Sequence, residues 1–477
     1  MLNSIRSSDT QAVFDQARSP RTRRVKVGDK TVSIPTPFPS PVDWRDKWIY
    51  FLLVDRFNNP AAPPRHLPWD GEHGVFQGGT FNGIRAQLGY LQELGVGAIW
   101  LSPVLKNCQY NPFTYHGYGI QDFLHIDPRF ASNPEAAKAN PRLAEDELRN
   151  VVDEAHARGI YVIFDIVLNH VGDVFEYKGH GSDAPWSDRP YPIYWRDAKG
   201  KGNPAWTEPP TDPTLPADAT VGPAEIRRNE FFRRQGVGGE SGGDFYSLKE
   251  LVTDFREGGY YPVRDILIRA YQYLIAKYDV DGLRIDTLKF IEPDFARVFG
   301  NAIREFALSI GKKDFFTFGE VYDSEEKIAR FVGRNAIETG DLTGVDAALD
   351  FPLFYNIPGA VKGMLAPVQI VNMFERRKQV QRGIISSHGE ASKFFVTFLD
   401  NHDQDTRFYY RDSSHPTRYD EQLTLGICCL FALQGIPCLY YGTEQGLHGA
   451  GGTPEAVREA LWGKPNAFDC SQPFYRA

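Results

Sequence analysis

A unit repeated along the chain constrains its fold more than any other feature: a short apolar run, a polar tip, then a stretch with helical spacing. Residues 48–54 are continuously apolar and lead into Asp55 and Arg56, the pattern of a strand buried on both faces with polar groups at its C-terminal end. Residues 98–104 repeat it after a helical stretch in which Ile84, Leu88, Leu91 and Leu94 share one face. Residues 160–168 repeat it again, after a helix over 145–158 that stops at Gly159. The rhythm then lapses over residues 171–261, rich in Gly, Pro, Asp and Trp, and resumes with a helix over 263–278 and a strand over 280–285. Further strands are expected at 315–318, 347–351, 394–399 and 437–441. Eight strands alternating with helices predict an α/β chain, a parallel (β/α)8 TIM barrel with an irregular B domain inserted after strand three. The competing architecture, an open doubly wound sheet, carries a glycine-rich phosphate turn after its first strand, and Asp55, Arg56, Phe57 and Asn58 do not make one.

The expected organisation is an N-terminal extension over 1–46, strands one to three over 47–170, the insert over 171–261, and strands four to eight over 262–477. The extension is polar and ends in a proline-rich stretch, so it is expected to wrap or trail, with the basic cluster at 21–26 a solvated tail. A net charge of −8 disfavours nucleic acid and anionic membrane as partners, leaving a neutral substrate as the better fit. Residues 1–30 lack the apolar core of a secretory signal, and no apolar run is long enough to span a membrane, which sets a cytoplasmic location as the expectation. Five cysteines without CxxC spacing read as reduced thiols. Nothing in the sequence sets the oligomeric state.

Chemistry is expected at the strand tips, where a barrel places its active site. Four tips stand out: Asp165 with Asn169 and His170; Arg284 with Asp286; Glu320 after a run of Phe; and Asp400, Asn401, His402 and Asp403. Arg284 and Asp286 are two apart, so both face the barrel mouth, and the guanidinium is expected to lower the Asp286 pKa, as a nucleophile requires. Glu320 follows Phe315, Phe316 and Phe318, an apolar setting that keeps a carboxyl protonated for use as a general acid. Cleavage of a glycosidic bond with retention takes one carboxylate to attack and one acid to protonate the leaving oxygen.

In order and wording these tips resemble the four signature regions of the α-amylase family, glycoside hydrolase family 13, over about residues 48–445. Asp55, Arg56 and Phe57, the stretch Tyr115 to Tyr118, and Gly435 to Gly442 add to the likeness. The resemblance implies an O-glycosyl hydrolase with Asp286 as nucleophile, Glu320 as acid/base and Asp403 as third carboxylate. It implies Tyr118 as the stacking ring, Arg284 as the group that positions Asp286, and His170 and His402 as hydroxyl ligands. The implied substrate is an α-glucan or maltooligosaccharide, with a transglycosylase or a sucrose- or cyclomaltodextrin-active member as alternatives. A noncatalytic carbohydrate- or partner-binding barrel is the alternative from another class, and the presence of all three carboxylates counts against it.

Three departures from the family's wording bear on the site. Phe290 replaces a histidine after Lys289, Gly119 replaces an aromatic after Tyr118, and residues 245–251 replace a segment that carries a calcium-ligating aspartate. Calcium is the cofactor the resemblance implies, and Asn169 matches its barrel-side ligand, although a full set of oxygens cannot be assembled from the sequence. The 33 residues after Glu444 (477 − 444) are too few for a final helix and the family's C-terminal β-sandwich domain, so apolar surface is expected to be exposed on the first and seventh helices.

Overall fold

The computed structural model describes residues 4–66, 74–212, 215–216, 218–238, 242–336, 342–449 and 454–477. Eight parallel strands form one sheet: β1 (Ile49–Leu52), β2 (Ala98–Leu101), β3 (Tyr161–Val167), β4 (Gly282–Asp286), β5 (Phe316–Gly319), β6 (Ala347–Ala348), β7 (Val396–Thr397) and β8 (Ile436–Tyr440). Their order is β6-β5-β4-β3-β2-β1-β8-β7. A Leu349–Val396 bridge, with the Asp350 amide donating to the Val396 carbonyl at 2.9 Å, joins the two edges and closes the barrel. Every expected strand is present, shortened most at β6 and β7 where the edges meet.

Strand register builds the barrel floor. Phe51 pairs with Trp100 on one side and Tyr440 on the other, so the rings of neighbouring strands lie side by side. Phe51 and Trp100 stack at 3.8 Å between centroids, Phe51 and Tyr440 at 5.4 Å, and Phe318 meets Trp100 edge-on at 5.4 Å. These side chains fill the barrel interior beneath the polar groups that gather at the C-terminal mouth.

The N-terminal extension is more ordered than expected. Residues Ser8–Ala17 form a helix capped by the Ser7 hydroxyl, and Arg21–Val27 pairs antiparallel with Lys30–Thr36. The basic cluster is therefore one strand of a hairpin, with Arg23 bonded to Asp153 at 2.7 Å on the helix Arg142–Ala157. Phe14 packs on Phe306, Phe38 stacks on His156, and the Trp44 indole donates to the Asp314 carbonyl. A short polar element whose few apolar residues match a groove on the barrel gains order from that groove, which its own sequence does not display.

The insert is irregular, as its composition implies. The pairs Phe175–Tyr177 with Ile193–Trp195, and His170–Val171 with Lys249–Glu250, hold it together around Phe175, Trp195 and Phe232. A further hairpin, Leu105–Asn107 with Ile120–Ile126, follows β2; the loop between its strands carries Tyr115, His116 and Tyr118. No periodicity in the sequence marked that hairpin. Near the C-terminus, Phe468 and Tyr475 pack on Tyr90 of the helix Leu88–Glu93, so the first barrel helix is covered where exposure was expected. Leu425 and Phe431 on the helix Asp420–Ala432 are exposed.

Candidate active site

A pocket of about 620 Å³ opens at the C-terminal mouth, lined among others by Tyr118, His170, Asp286, Glu320, Asp403 and Arg458. Buried beneath its floor is a single guanidinium. Arg284 Nη1 lies 2.9 Å from Asp286 Oδ1 and 2.9 Å from Asp165 Oδ1, while Nη2 lies 2.6 Å from Glu320 Oε2. Trp100 sits beneath the guanidinium, 5.2 Å from its ring centroid, and donates its indole N–H to Asp165. Tyr118 donates its hydroxyl to the same carboxylate at 2.9 Å. One planar fork thus orients three carboxylates at once, which a lysine ammonium could not do.

The strand ends explain how Glu320 arrives there. Glu320 N donates to the Ile285 carbonyl of β4, and Gly319 has no room for a side chain, since a Cβ there would lie 2.0 Å from Leu288. Thr287, immediately after Asp286, adopts the left-handed conformation with φ of 48°. That kink turns its N–H toward Glu320 Oε2, at 3.2 Å.

Charge crowding sets the protonation states. Burial pushes the Asp286 carboxyl up to about 7; Arg284 opposes the rise, and Asp165 and Asp403 reinforce it. Burial likewise pushes Glu320 up to about 7, against Arg284 and with the repulsion of Asp286. Asp165 is raised to about 6 by burial. The expectation that Arg284 would lower Asp286 is corrected on this point: one cation is shared among three buried acids, so desolvation and mutual repulsion win. Asp403 goes the other way. Burial alone would raise it, but His402, with Nε2 at 3.0 Å, and Arg458, with Nη2 at 2.8 Å, hold it well below the usual carboxylate range.

All seven residues expected at the site, Asp286, Glu320, Asp403, Tyr118, His170, Arg284 and His402, converge on this pocket or its base. The Tyr118 and His402 rings lie nearly parallel, 5.3 Å apart. His170 Nε2 and His402 Nδ1 are buried without a hydrogen-bond partner, while His402 Nε2 faces Asp403. Phe290 lines the pocket and packs on Phe245, 5.8 Å away, so the histidine-to-phenylalanine departure gives an apolar wall. Gly119 is glycine because Thr114 Cγ2 and Asn107 Oδ1 would lie 2.9 and 3.2 Å from any Cβ.

Two members of the site were not anticipated. Asp165 belongs to the third strand tip, and its period-two relation to Val167 on a barrel strand could have marked it as facing the mouth. Arg458 had no signal at all. It follows β8 in a short turn, donates to the His402 carbonyl and to the Tyr115 hydroxyl, and is braced from behind by Arg56, which donates to its carbonyl.

The calcium expected at Asn169 does not fit the residues present. The Asn169 amide lies against His170, and the acids of the adjoining insert strands are matched by cations of the chain itself. The fully buried Lys249 ammonium donates to the Ser182 carbonyl at 2.7 Å and to Asp244 at 3.1 Å, with Asp173 at 3.5 Å. Glu250 is held by Arg233 at 3.0 Å. Among the described residues no group of three His, Cys, Asp or Glu is placed to hold a metal.

Fold and site together define a (β/α)8 barrel with three carboxylates and a shared arginine at its mouth. The chain belongs to the alpha-amylase family, whose model for the alpha amylase catalytic domain matches residues 51–462. It is 29% identical to an alpha-amylase of Streptomyces lividans over 85% of this chain and 46% of that one. Against alpha-amylase 1 of Lipomyces kononenkoae it is 27% identical over 93% of this chain and 59% of the relative. It spans about half the length of these curated relatives. Among solved structures it resembles the alpha-amylase of Geobacillus thermoleovorans complexed with acarbose, with a TM-score of 0.59 and 25% identity over 90% of this chain and 77% of that one.

Proposed function

We propose that this chain is a retaining glycosidase acting on α-linked glucans or maltooligosaccharides. The observation that carries the reading is the Arg284 guanidinium clamped between Asp286 and Glu320 beneath a pocket with aromatic walls. Two buried acids that repel one another hold one proton between them near neutral pH, so one is ionised while the other is protonated. Asp286, ionised, attacks the anomeric carbon; the glycosidic C–O bond breaks with its electron pair passing to the leaving oxygen, which takes the proton of Glu320. Water then gives a proton to the Glu320 carboxylate as its oxygen displaces Asp286, which restores the starting configuration. Both donors to Glu320, from Arg284 and Thr287, fall on Oε2, which leaves Oε1 to carry the proton.

Asp403, kept anionic by His402 and Arg458, stabilises positive charge at the anomeric carbon and accepts hydrogen bonds from ring hydroxyls. His170 Nε2 and His402 Nδ1 supply further hydroxyl partners, and Tyr118 offers the stacking face.

The test is product analysis with maltoheptaose, cyclomaltodextrin and sucrose in parallel, with Asp286→Asn as control. Shortened maltodextrins that vanish in the control support hydrolysis of α-glucans. Longer products show transfer to sugar acceptors, and turnover of sucrose alone redirects the substrate. No turnover by folded protein overturns the reading.

A further inference from the structure

Asp55 and Arg56, the polar tip of the first strand, take no part in the chemistry described so far, yet both side chains are wholly buried. They follow β1 in the short helix Val54–Phe57. Asp55 accepts the Gln77 and Gly78 amides at 2.9 Å each and pairs with Arg56, Nε lying 2.9 Å from Oδ2. The Arg56 guanidinium is thereby fixed, and it covers the Tyr115 ring at 3.8 Å from the centroid. Its Nη2 donates to the Val75 carbonyl at 2.9 Å, and Nη1 donates to the Arg458 carbonyl at 3.0 Å.

Arg458 depends on such an anchor. It ends a short 3-10 turn, Pro454–Arg458, outside the barrel strands and their helices. Three successive carbonyls of this stretch are held by side chains at the ends of β1 and β8: Val457 by the Tyr440 hydroxyl at 3.2 Å, Arg458 by Arg56, and Glu459 by the Tyr441 hydroxyl at 2.7 Å. Arg56 also bears on the Arg458 side chain, because the Tyr115 ring it covers carries the hydroxyl that accepts from Arg458 Nη1 at 3.1 Å. One buried guanidinium thus sets both the backbone of Arg458 and one of its side-chain acceptors.

We infer that Arg56 is a positioning residue for the third carboxylate, aiming the Arg458 guanidinium at Asp403 through the Arg458 carbonyl and the Tyr115 ring. The inference rests on the proposed glycosidase reading for the use made of Asp403. Arg56 lies outside the pocket lining, whereas Arg458 and Asp403 belong to it, so Arg56 acts on the site only through its neighbours. A hydrogen bond weakens steeply as it lengthens or bends, so a turn that loses one of its three supports fails first at the 2.8 Å contact between Arg458 and Asp403. A lysine at position 56 keeps a positive charge beside Asp55, but a point charge cannot reach two carbonyls and cover a ring as the planar fork does.

The experiment is a double-mutant cycle: kcat/KM for maltoheptaose is measured for the parent, Arg56→Lys, Arg458→Met and the double variant, with folding of each checked by denaturant unfolding. Arg56→Lys is expected to lower kcat/KM about ten-fold in the parent but less than about two-fold in Arg458→Met, where the group it aims is already gone. Losses of equal size in both backgrounds overturn the relay, because a general loosening of packing does not depend on Arg458. If Arg56→Lys does not fold, the neutral pair Asp55→Asn with Arg56→Gln takes its place in the cycle under the same criterion. Maltoheptaose is also titrated by calorimetry into the four proteins carrying Asp286→Asn, and the loss of affinity from Arg56→Lys is expected only where Arg458 is present. If the Asp286-containing parent turns over no α-glucan while affinity shows this dependence, the relay stands and the hydrolase reading falls.

Discussion

Arg458 Nη2 lies 2.8 Å from Asp403 Oδ1, although the two residues are 55 positions apart and belong to different segments of the barrel mouth. The same guanidinium donates to the His402 carbonyl and the Tyr115 hydroxyl, so it fixes the whole tip of β7. Arg458→Met is expected to lower kcat/KM by about 2–4 kcal/mol of transition-state stabilisation, the usual cost of leaving a hydrogen-bonded charge without its partner. Asp403 is held low partly by this cation. Its loss raises the Asp403 pKa, so the acid limb of the pH profile moves to higher pH. An unchanged acid limb in steady-state kinetics refutes the role.

Arg284 compensates Asp165, Asp286 and Glu320 together. Arg284→Met leaves three buried acids without a cation and is expected to cost about 3–5 kcal/mol of stability, read by denaturant unfolding. Arg284→Lys is expected to retain more stability but to lose activity by about two orders of magnitude, because a point charge cannot hold Asp286 and Glu320 at once.

Glu320 is an acid whose folded pKa, about 7, lies above its ordinary value. A raised carboxyl favours the protonated form, so it burdens the fold once pH exceeds the unfolded pKa, and the burden is complete above the folded pKa. Glu320→Gln removes the charge and is expected to stabilise the protein by about 1–3 kcal/mol near pH 8 but little near pH 4. Equal melting shifts at both pH values contradict the assignment.

The Lys249 ammonium, buried between Asp244 and Asp173, supplies positive charge to the acids of the insert. Chelator treatment is expected to leave the melting temperature unchanged, whereas Lys249→Met, which leaves the buried Asp244 without its cation while Asp173 keeps Arg196, is expected to cost about 3–5 kcal/mol. A large drop in melting temperature with chelator sinks this account.

Restoring an aromatic after Tyr118 by Gly119→Phe forces Thr114 and Asn107 apart and is expected to cost about 1–3 kcal/mol, with weaker maltoheptaose binding because Tyr118 is next in the chain. Unfolding curves that overlay the parent contradict it.

What was legible in the sequence was whatever repeats or lies close along the chain. The barrel strands announced themselves because a strand buried on both faces must be a continuous apolar run, as at 49–52 and 161–167. The Arg284 and Asp286 pairing followed from the two-residue period of a strand, and the apolar setting of Glu320 from its phenylalanine neighbours. Elements stabilised by contact with something else were not legible. The helix Ser8–Ala17 and the hairpin after it depend on the barrel helices, and the Tyr118 hairpin depends on pairing across a loop.

The sequence by itself determined that a barrel forms and that acids and imidazoles gather at its mouth, because those properties are carried by local spacing and residue type. Only the tertiary structure decided how one arginine is divided among three acids, that Arg458 reaches Asp403, and that Lys249 rather than a metal meets the acids of the insert. Each of these is a balance of desolvation and charge between groups far apart in the chain, and such a balance exists only once folding has brought them within a few ångströms.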